Sequence, residues 1–499
     1  MTSGRRAPVA RAIALLVGAF LVSVPFAQKM AAQSALPRFE PDDCPVNGEW
    51  ARDVRRECGW LVVQESRDRP TANTVRLAVE IFRAKEPTGA PPLVLLHGGP
   101  GNGGIRLYSA GVAMSALPRH RDVVIYDQRG AGFSEPKLCP GYERVADSAY
   151  NLREGAEKDT KLREARRACL AELDAKGIDR LAYNTAASAA DLIDLRRTLG
   201  YASWDISGGS YGARLAQEAM VRDGWAIRSV VLPSPMARSF SIQAEQPLST
   251  QQAFERLFAA CRLQPSCRDA FPNIEQDFYA TYDQLTKSPL PLPIMRPDGG
   301  SDTVSVDGDR LVAGIRERIR TGAGFGRVPL LLHELRAGDR LRAARELVGD
   351  GAAPEALANR ALRELVNCYD DYGPTFLKTL KSVNAMVRPP FRRVMNRDCE
   401  DWLPRFSEAS LRTAVRSDIP TLIVTGHFDD RTPTEHARRI ASTLSRAYLV
   451  EFPAEGHDPR PSPCHWAIAR QFWEDPTRPP DTSCVATLPD IGFATTWGP

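Results

Sequence analysis

The chain has 499 residues, 43% hydrophobic and 25% charged, with 65 Lys+Arg against 61 Asp+Glu. That balance belongs to a globular protein and excludes a disordered, collagen-like or multi-pass membrane chain. Its net charge of +4 equals the four cations Arg5, Arg6, Arg11 and Lys29 of the first 35 residues, so no basic field points to nucleic acid and no acidic run to a polycation.

Residues 1–35 read as an export signal. A basic start precedes the apolar run 12–27, and the small residues Ala31, Ala32, Ser34 and Ala35 follow. The run is shorter than the ~20 apolar residues that span a bilayer, so cleavage between 27 and 36 is expected, with no stable membrane insertion afterwards. The expected location is periplasmic or extracellular.

All ten cysteines lie beyond that segment: Cys44, Cys58, Cys139, Cys169, Cys261, Cys267, Cys368, Cys399, Cys464 and Cys484. An even number behind an export signal predicts disulfides. The sequence leaves their connectivity open; the simplest pairing joins neighbours, 44–58, 139–169, 261–267, 368–399 and 464–484. No Cys-x-x-Cys or Cys/His cluster has the spacing of zinc ligands, so no metal is expected.

Residues 37–75 read as a Pro- and charge-rich lead-in. Polar and apolar residues alternate over 74–82 (TVRLAVEIF), which predicts a strand. Short buried strands follow at 92–96 and 122–126, ending in His97-Gly-Gly-Pro-Gly101 and Asp127-Gln-Arg-Gly130. Leu192, Leu195 and Leu199 share one face of a helix predicted over 188–199. The strand 204–206 runs into Ser207-Gly-Gly-Ser-Tyr-Gly212 and a helix, and the next strand is 228–232. Short apolar strands alternating with helices predict a mostly parallel sheet covered on both faces.

Residues 234–415 read as helical, with no clear buried strand. Strands resume at 421–425 and 447–451. The expected organisation is therefore an α/β core in two parts, 36–233 and 416–499, interrupted by a helical cap insertion at 234–415. The last 35 residues are Pro-rich and are expected to wrap the surface, tied by Cys484.

Gly208-Gly-Ser210-Tyr-Gly212 fits Gly-x-Ser-x-Gly between a strand and a helix, the nucleophile elbow. A serine hydroxyl needs a base, and the base an orienting acid, in the chain order Ser, Asp, His. The strand 447–451 ends in Pro453-Ala-Glu-Gly-His457, which nominates His457. The strand 421–425 ends in Gly426-His-Phe-Asp429-Asp-Arg-Thr-Pro433. Asp429 is preferred as the acid; its neighbour Asp430 would then be solvated or bound to the loop backbone. His427 is a rival base, but it precedes the acid within one loop. The glycine-rich loop at 97–101 is suited to an oxyanion hole, with backbone donors from Gly99 and from Tyr211 after the nucleophile. No phosphate-binding glycine motif is present, and no cofactor is expected.

These motifs stand in an order that resembles the proline iminopeptidase and tripeptidyl aminopeptidase family of α/β-hydrolases. Ser462-Pro-Cys464, Asp481-Thr-Ser-Cys484, Cys261-x5-Cys267 and Cys368 resemble the exported branch, which carries a tripeptidyl aminopeptidase-like (TAP-like) C-terminal region. The resemblance implies an α/β-hydrolase fold with a large helical cap. It implies a serine exopeptidase acting on free peptide N-termini, with a secreted esterase or amidase as the alternative use of the same triad. The partner is then a peptide or small-molecule substrate. In this family acidic cap residues hold the substrate's α-amino group, and Asn367-Cys-Tyr-Asp370-Asp371 offers Asp370 as the counterpart. Glu218, on the helix after the nucleophile, reads as a structural residue. Pro233-Ser-Pro235 stands where the family has an Asp-Gly turn.

Overall fold

In the computed structural model, the described residues are 36–499 except 70–72, 150–151, 153–154, 296–299, 323, 350–358, 393–397, 404–411, 459–461 and 498–499. The export signal expected at 1–35 lies outside them. Residues 37–499 form one unit.

The apolar runs become strands of a nine-stranded sheet. In chain order these are β1 (Arg38–Asp42), β2 (Arg56–Gln64), β3 (Thr74–Phe82), β4 (Leu93–Leu96), β5 (Val123–Tyr126), β6 (Trp204–Gly208) and β7 (Ile227–Pro233). After the hairpin β8 (Leu290–Met295) and β9 (Ser301–Val306) come β10 (Thr421–Gly426) and β11 (Ala447–Phe452). The sheet order is β1-β2-β3-β5-β4-β6-β7-β10-β11. It is parallel from β5 through β11, while β1, β2 and β3 are antiparallel additions at one edge. The whole of β5 and of β10 is buried, as expected of central parallel strands covered by helices on both faces.

Register assembles the site. Leu96 pairs with Gly208, so the loop after β4 emerges beside the turn after β6. Val424 pairs with Pro233, and Gly426 with Phe452. The loops after β4, β6, β7, β10 and β11 thus meet at the carboxyl ends of the parallel strands, where ligands bind in open α/β sheets.

Two expectations about strands are corrected. The segment 37–75 is not a loose lead-in, because it carries β1 and β2, clipped by Cys44–Cys58. The charged and Pro-rich flanks hide the apolar stretch Trp60-Leu-Val-Val63. The segment 234–415 holds the β8–β9 hairpin. Its Leu-Pro-Leu-Pro-Ile-Met carries two prolines, which argue against a strand in a sheet interior. In a two-stranded hairpin they are tolerated, with Leu292 and Ile294 buried between exposed neighbours.

Otherwise the cap is built of helices. Ile242–Leu263, Ile274–Lys287, Gly308–Thr321 and Val328–Ala337 enclose an aromatic core that includes Phe254, Phe258, Phe278 and Phe391. A second roof element comes from 138–183, before β6. There the helices Pro140–Ser148 and Ala156–Ala175 are joined by Cys139–Cys169 and pack with the helix Arg360–Asp371. After the helix Pro463–Glu474 the tail reaches the cap, where Ile491, Phe493 and Trp497 pack and Ala494 N–H donates to Gly326 O at 3.1 Å.

The cysteines form five disulfides, each between sequence neighbours as in the simplest pairing, and none is left over. Among the described residues no helix is long and apolar enough to cross a membrane.

Candidate active site

β6 runs into the elbow, where Ser210 has φ 54° and ψ −121°. This region is costly for a side chain-bearing residue and persists only where its surroundings enforce it. Here Ser210 N–H donates to Pro233 O at 3.2 Å, and Ser210 O accepts from Met236 N–H at 3.1 Å. The helix Tyr211–Asp223 starts at once, so Ser210 sits at its N-terminus, where the helix dipole favours negative charge.

His457 follows β11. Its Nε2 lies 3.0 Å from Ser210 Oγ, and its Nδ1 lies 2.9 Å from Asp429 Oδ2 and 3.0 Å from Oδ1. Asp429 is fully buried and accepts from the N–H of Arg431, the N–H of Thr432 and the hydroxyl of Thr432, each at 2.8 Å. Burial alone would raise its pKa; the imidazole and these donors outweigh that and hold it at about 2. The acid is therefore ionised and aimed at Nδ1.

Asp430 corrects an expectation. It is fully buried, neither solvated nor bound to its loop, and its Oδ2 pairs with Arg316 Nε of the cap helix Gly308–Thr321 at 2.7 Å. His427 bonds to Glu451 Oε1 at 2.7 Å and takes no part in the constellation. Glu218 pairs with Arg222 and Arg238, in keeping with a structural residue.

Sequence reasoning missed two residues here. Thr432 Oγ1 lies 3.0 Å from His457 Nδ1, and its one proton is shared between Asp429 Oδ2 at 2.8 Å and Ser234 O at 2.7 Å. Ser234 Oγ in turn donates to His457 O at 2.6 Å. Ser234 has φ 45°, and its N–H donates to Val424 O at 2.7 Å. The signal was the unusual Pro233-Ser-Pro235, which replaces a simple turn with a clasp between the acid and base loops.

The glycine-rich loop closes over the hydroxyl. A Cβ on Gly98 would lie 2.9 Å from Ser210 Cβ, so only glycine permits this approach. Gln128 Nε2–H donates to His97 O at 3.1 Å and holds the loop from behind. Tyr211 opens the nucleophile helix; its phenol turns inward, 2.7 Å from Thr185 Oγ1. Gly99 lines the same cavity as Ser210.

That cavity measures about 840 Å³. Its floor holds Ser210, His457, Gly98 and Gly99. Its roof comes from Ile242, Gln243 and Gln246, from Glu317 and Arg320, and from Arg360, Arg363, Glu364 and Asn367. Asp458 and Arg431 complete the charged lining.

Asp370 is not part of it, which corrects the expected amine-binding role. Its carboxylate is buried and accepts from the Thr185 hydroxyl, with Arg214 Nη1 at 3.9 Å. Burial pushes it up to about 6. The last turn of its helix faces the protein interior, whereas residues 360, 363, 364 and 367 of the same helix face the cavity. Among the described residues, the one group with metal-ligand potential is Cys44, Cys58 and Glu80, and its two cysteines are oxidised to each other.

The chain has the α/β-hydrolase fold, with Ser210, His457 and Asp429 joined at the carboxyl ends of its strands. The family described as α/β hydrolase fold matches residues 91–292, and the family described as TAP-like protein matches 389–484. The resemblance to proline iminopeptidases and tripeptidyl aminopeptidases read from the motifs agrees with both. Similar solved structures include a proline iminopeptidase from Mycobacterium smegmatis, 16% identical, with 81% of this chain and 96% of that chain covered and a TM-score of 0.39. A proline iminopeptidase-related protein from Thermus thermophilus is 18% identical over 85% and 96%, with a TM-score of 0.35. An esterase from Thermogutta terrifontis is 17% identical over 78% and 89%, with a TM-score of 0.32. No curated protein matches the sequence.

Proposed function

We propose that the protein is an exported serine exopeptidase that releases residues or short peptides from free N-termini. The observation that carries the hydrolytic part is the continuous chain Asp429–His457–Ser210, with steps of 2.9 and 3.0 Å, at the floor of the roofed cavity. The five disulfides support export to an oxidising compartment.

In this reading Ser210 Oγ attacks the carbonyl of the scissile bond while His457 Nε2 takes its proton. The Nδ1–H donates to ionised Asp429, which stabilises the imidazolium and fixes the tautomer. The N–H groups of Gly99 and Tyr211 stabilise the oxyanion. His457 then protonates the leaving amine, and an ester links the acyl group to Ser210. Water, deprotonated by the same imidazole, hydrolyses that ester and restores the serine.

A roofed cavity suits a chain terminus, and an ammonium group needs an acid. Glu364 takes the part first given to Asp370, because it lies on the same cap helix and lines the cavity. The test compares a free amino-acyl or tripeptidyl anilide with its N-acetylated twin and with a short acyl ester. Wild type is expected to favour the free amine by on the order of 10²-fold, and Glu364→Gln to lose that preference. Equal rates for the free and blocked anilides would overturn the exopeptidase and promote the esterase.

A further inference from the structure

The helix Arg360–Asp371 presents Arg360, Arg363, Glu364 and Asn367 to the cavity, at spacing i, i+3, i+4 and i+7. Leu362, Leu365 and Val366 pack into the roof instead. The polar face of an amphipathic helix normally meets solvent; this one meets the space above the serine.

Four arginines line that space, and three of them have carboxylate partners. Arg320 pairs with Glu317 and Asp458. Arg360 pairs with Asp147 at 2.6 Å and Glu143 at 3.4 Å, and Arg431 lies 4.0 Å from Glu317. Arg363 differs. Among the described residues no carboxylate lies within ion-pair distance of it, and its buried Nε, like that of Arg431, has no hydrogen-bond partner. Burial opposes its charge, Glu364 and Glu143 favour it, and Arg360 opposes it.

Its position is fixed. Asn359 N–H donates to Gly101 O at 2.9 Å, and Asn359 Nδ2–H donates to Leu138 O at 2.8 Å. A Cβ on Gly101 would fall 2.5 Å from Asn359 O, so the oxyanion loop and the start of this helix touch backbone to backbone. Arg363 stands one turn into a helix anchored on the catalytic floor. A guanidinium stays charged in any environment and matches a carboxylate with two parallel donors. The Arg363 Nε is buried without a partner, and that carries a cost that an anionic ligand removes.

We infer that Arg363 is a specificity-determining residue that binds a carboxylate of the substrate, so the preferred substrates are acidic. The inference rests on the reading of Ser210 as the site of acyl transfer. The carboxylate comes from an Asp or Glu side chain near the scissile bond, or from the free C-terminus of a short peptide.

Binding tests this apart from catalysis. Calorimetry on Ser210→Ala compares Ala-Ala-Ala with its C-terminal amide, and Ala-Glu-Ala-amide with Ala-Gln-Ala-amide. In at least one pair the carboxylate-bearing peptide is expected to bind ~10- to 100-fold tighter, the range of a charge-assisted hydrogen bond. The pair that shows the preference identifies the source. The ratio should fall to near one in Ser210→Ala/Arg363→Gln, and Arg363→Lys should keep part of it. An unchanged thermal melt establishes that each variant is folded. No preference in either pair, or one that survives both substitutions, overturns the inference. Turnover by wild type is read separately: a binding preference without turnover upholds the carboxylate site and sinks the hydrolase.

Discussion

Asp429 and Asp430 are adjacent, identical and fully buried, yet their environments assign them different work. Asp429 meets His457 and three donors of its own loop; Asp430 meets Arg316 of the cap. Asp429→Asn would keep the shape but offer an amide to Nδ1, which holds the wrong tautomer. In a well-studied triad this costs ~10⁴-fold in turnover. Asp430→Asn leaves the triad intact and weakens one cap–core ion pair. The expected result is a kcat loss of on the order of 10⁴-fold for Asp429→Asn and less than ~10-fold for Asp430→Asn. Steady-state kinetics on one anilide substrate decides this, and the reverse ranking would move the acid to Asp430. Ser234 belongs to the same scale. It binds the backbone of the base loop and the Thr432 hydroxyl of the acid loop, so one residue ties acid and base together.

At the scale of elements, what could be read in the sequence follows from what makes each element local. β4, β5, β6 and β10 were legible because central parallel strands are continuous apolar runs, each followed here by a loop with a chemical motif. β2 and the β8–β9 hairpin were not, since flanking charge and proline masked their alternation. Ser210, His457 and Asp429 were legible because the elbow and the chain order constrain them. The role of Asp370 could not be read, because it continues the same helical face and only the tertiary packing of the helix's last turn decides it. Residues 360, 363, 364 and 367 face the cavity, while 370 and 371 face the nucleophile helix. There Arg214 Nη1 pairs with Asp371 Oδ1 at 2.8 Å and also donates through Nη2 to Phe240 O. This buried junction locks cap to core. Arg214→Met would leave two buried acids without their cation, a loss of ~3–5 kcal/mol when one partner of such a group is removed. The second substitution Asp371→Asn should recover part of that loss. Urea unfolding of both variants with disulfides intact is the measurement, and a single variant as stable as wild type would refute the junction.

At the scale of the whole molecule, no disulfide joins the cap to the core; each lies within one segment, and the longest spans 31 residues. The cap is therefore held to the core by non-covalent contacts, and one contact beside their junction responds to pH. His436, on the helix Thr434–Ala441, is fully buried where the chain leaves the core for the cap. Its Nδ1 accepts from Ala237 N–H at 3.5 Å, and its ring lies against Phe240 with centroids 3.4 Å apart. Burial first, then Arg214, Arg439 and His457, disfavour the imidazolium; Asp429 favours it but is outweighed, and the pKa falls to about 3. The unfolded chain takes up a proton near pH 6.5 that the folded protein refuses until about pH 3. Stability from this residue is thus complete above pH 6.5 and falls by ~1.4 kcal/mol per unit as pH drops from there towards 3. His436→Asn keeps an acceptor for Ala237 N–H and has nothing to titrate. The variant is expected to be the less stable at pH 7, with a gap that narrows by ~1 kcal/mol or more for each unit of acidification between pH 6 and pH 4. Urea midpoints of wild type and variant at pH 7, 6, 5 and 4 give the gap directly. Other acid-sensitive groups act on both proteins and cancel in the difference. A gap that stays constant over that range would mean that His436 is not a group linking acidity to stability.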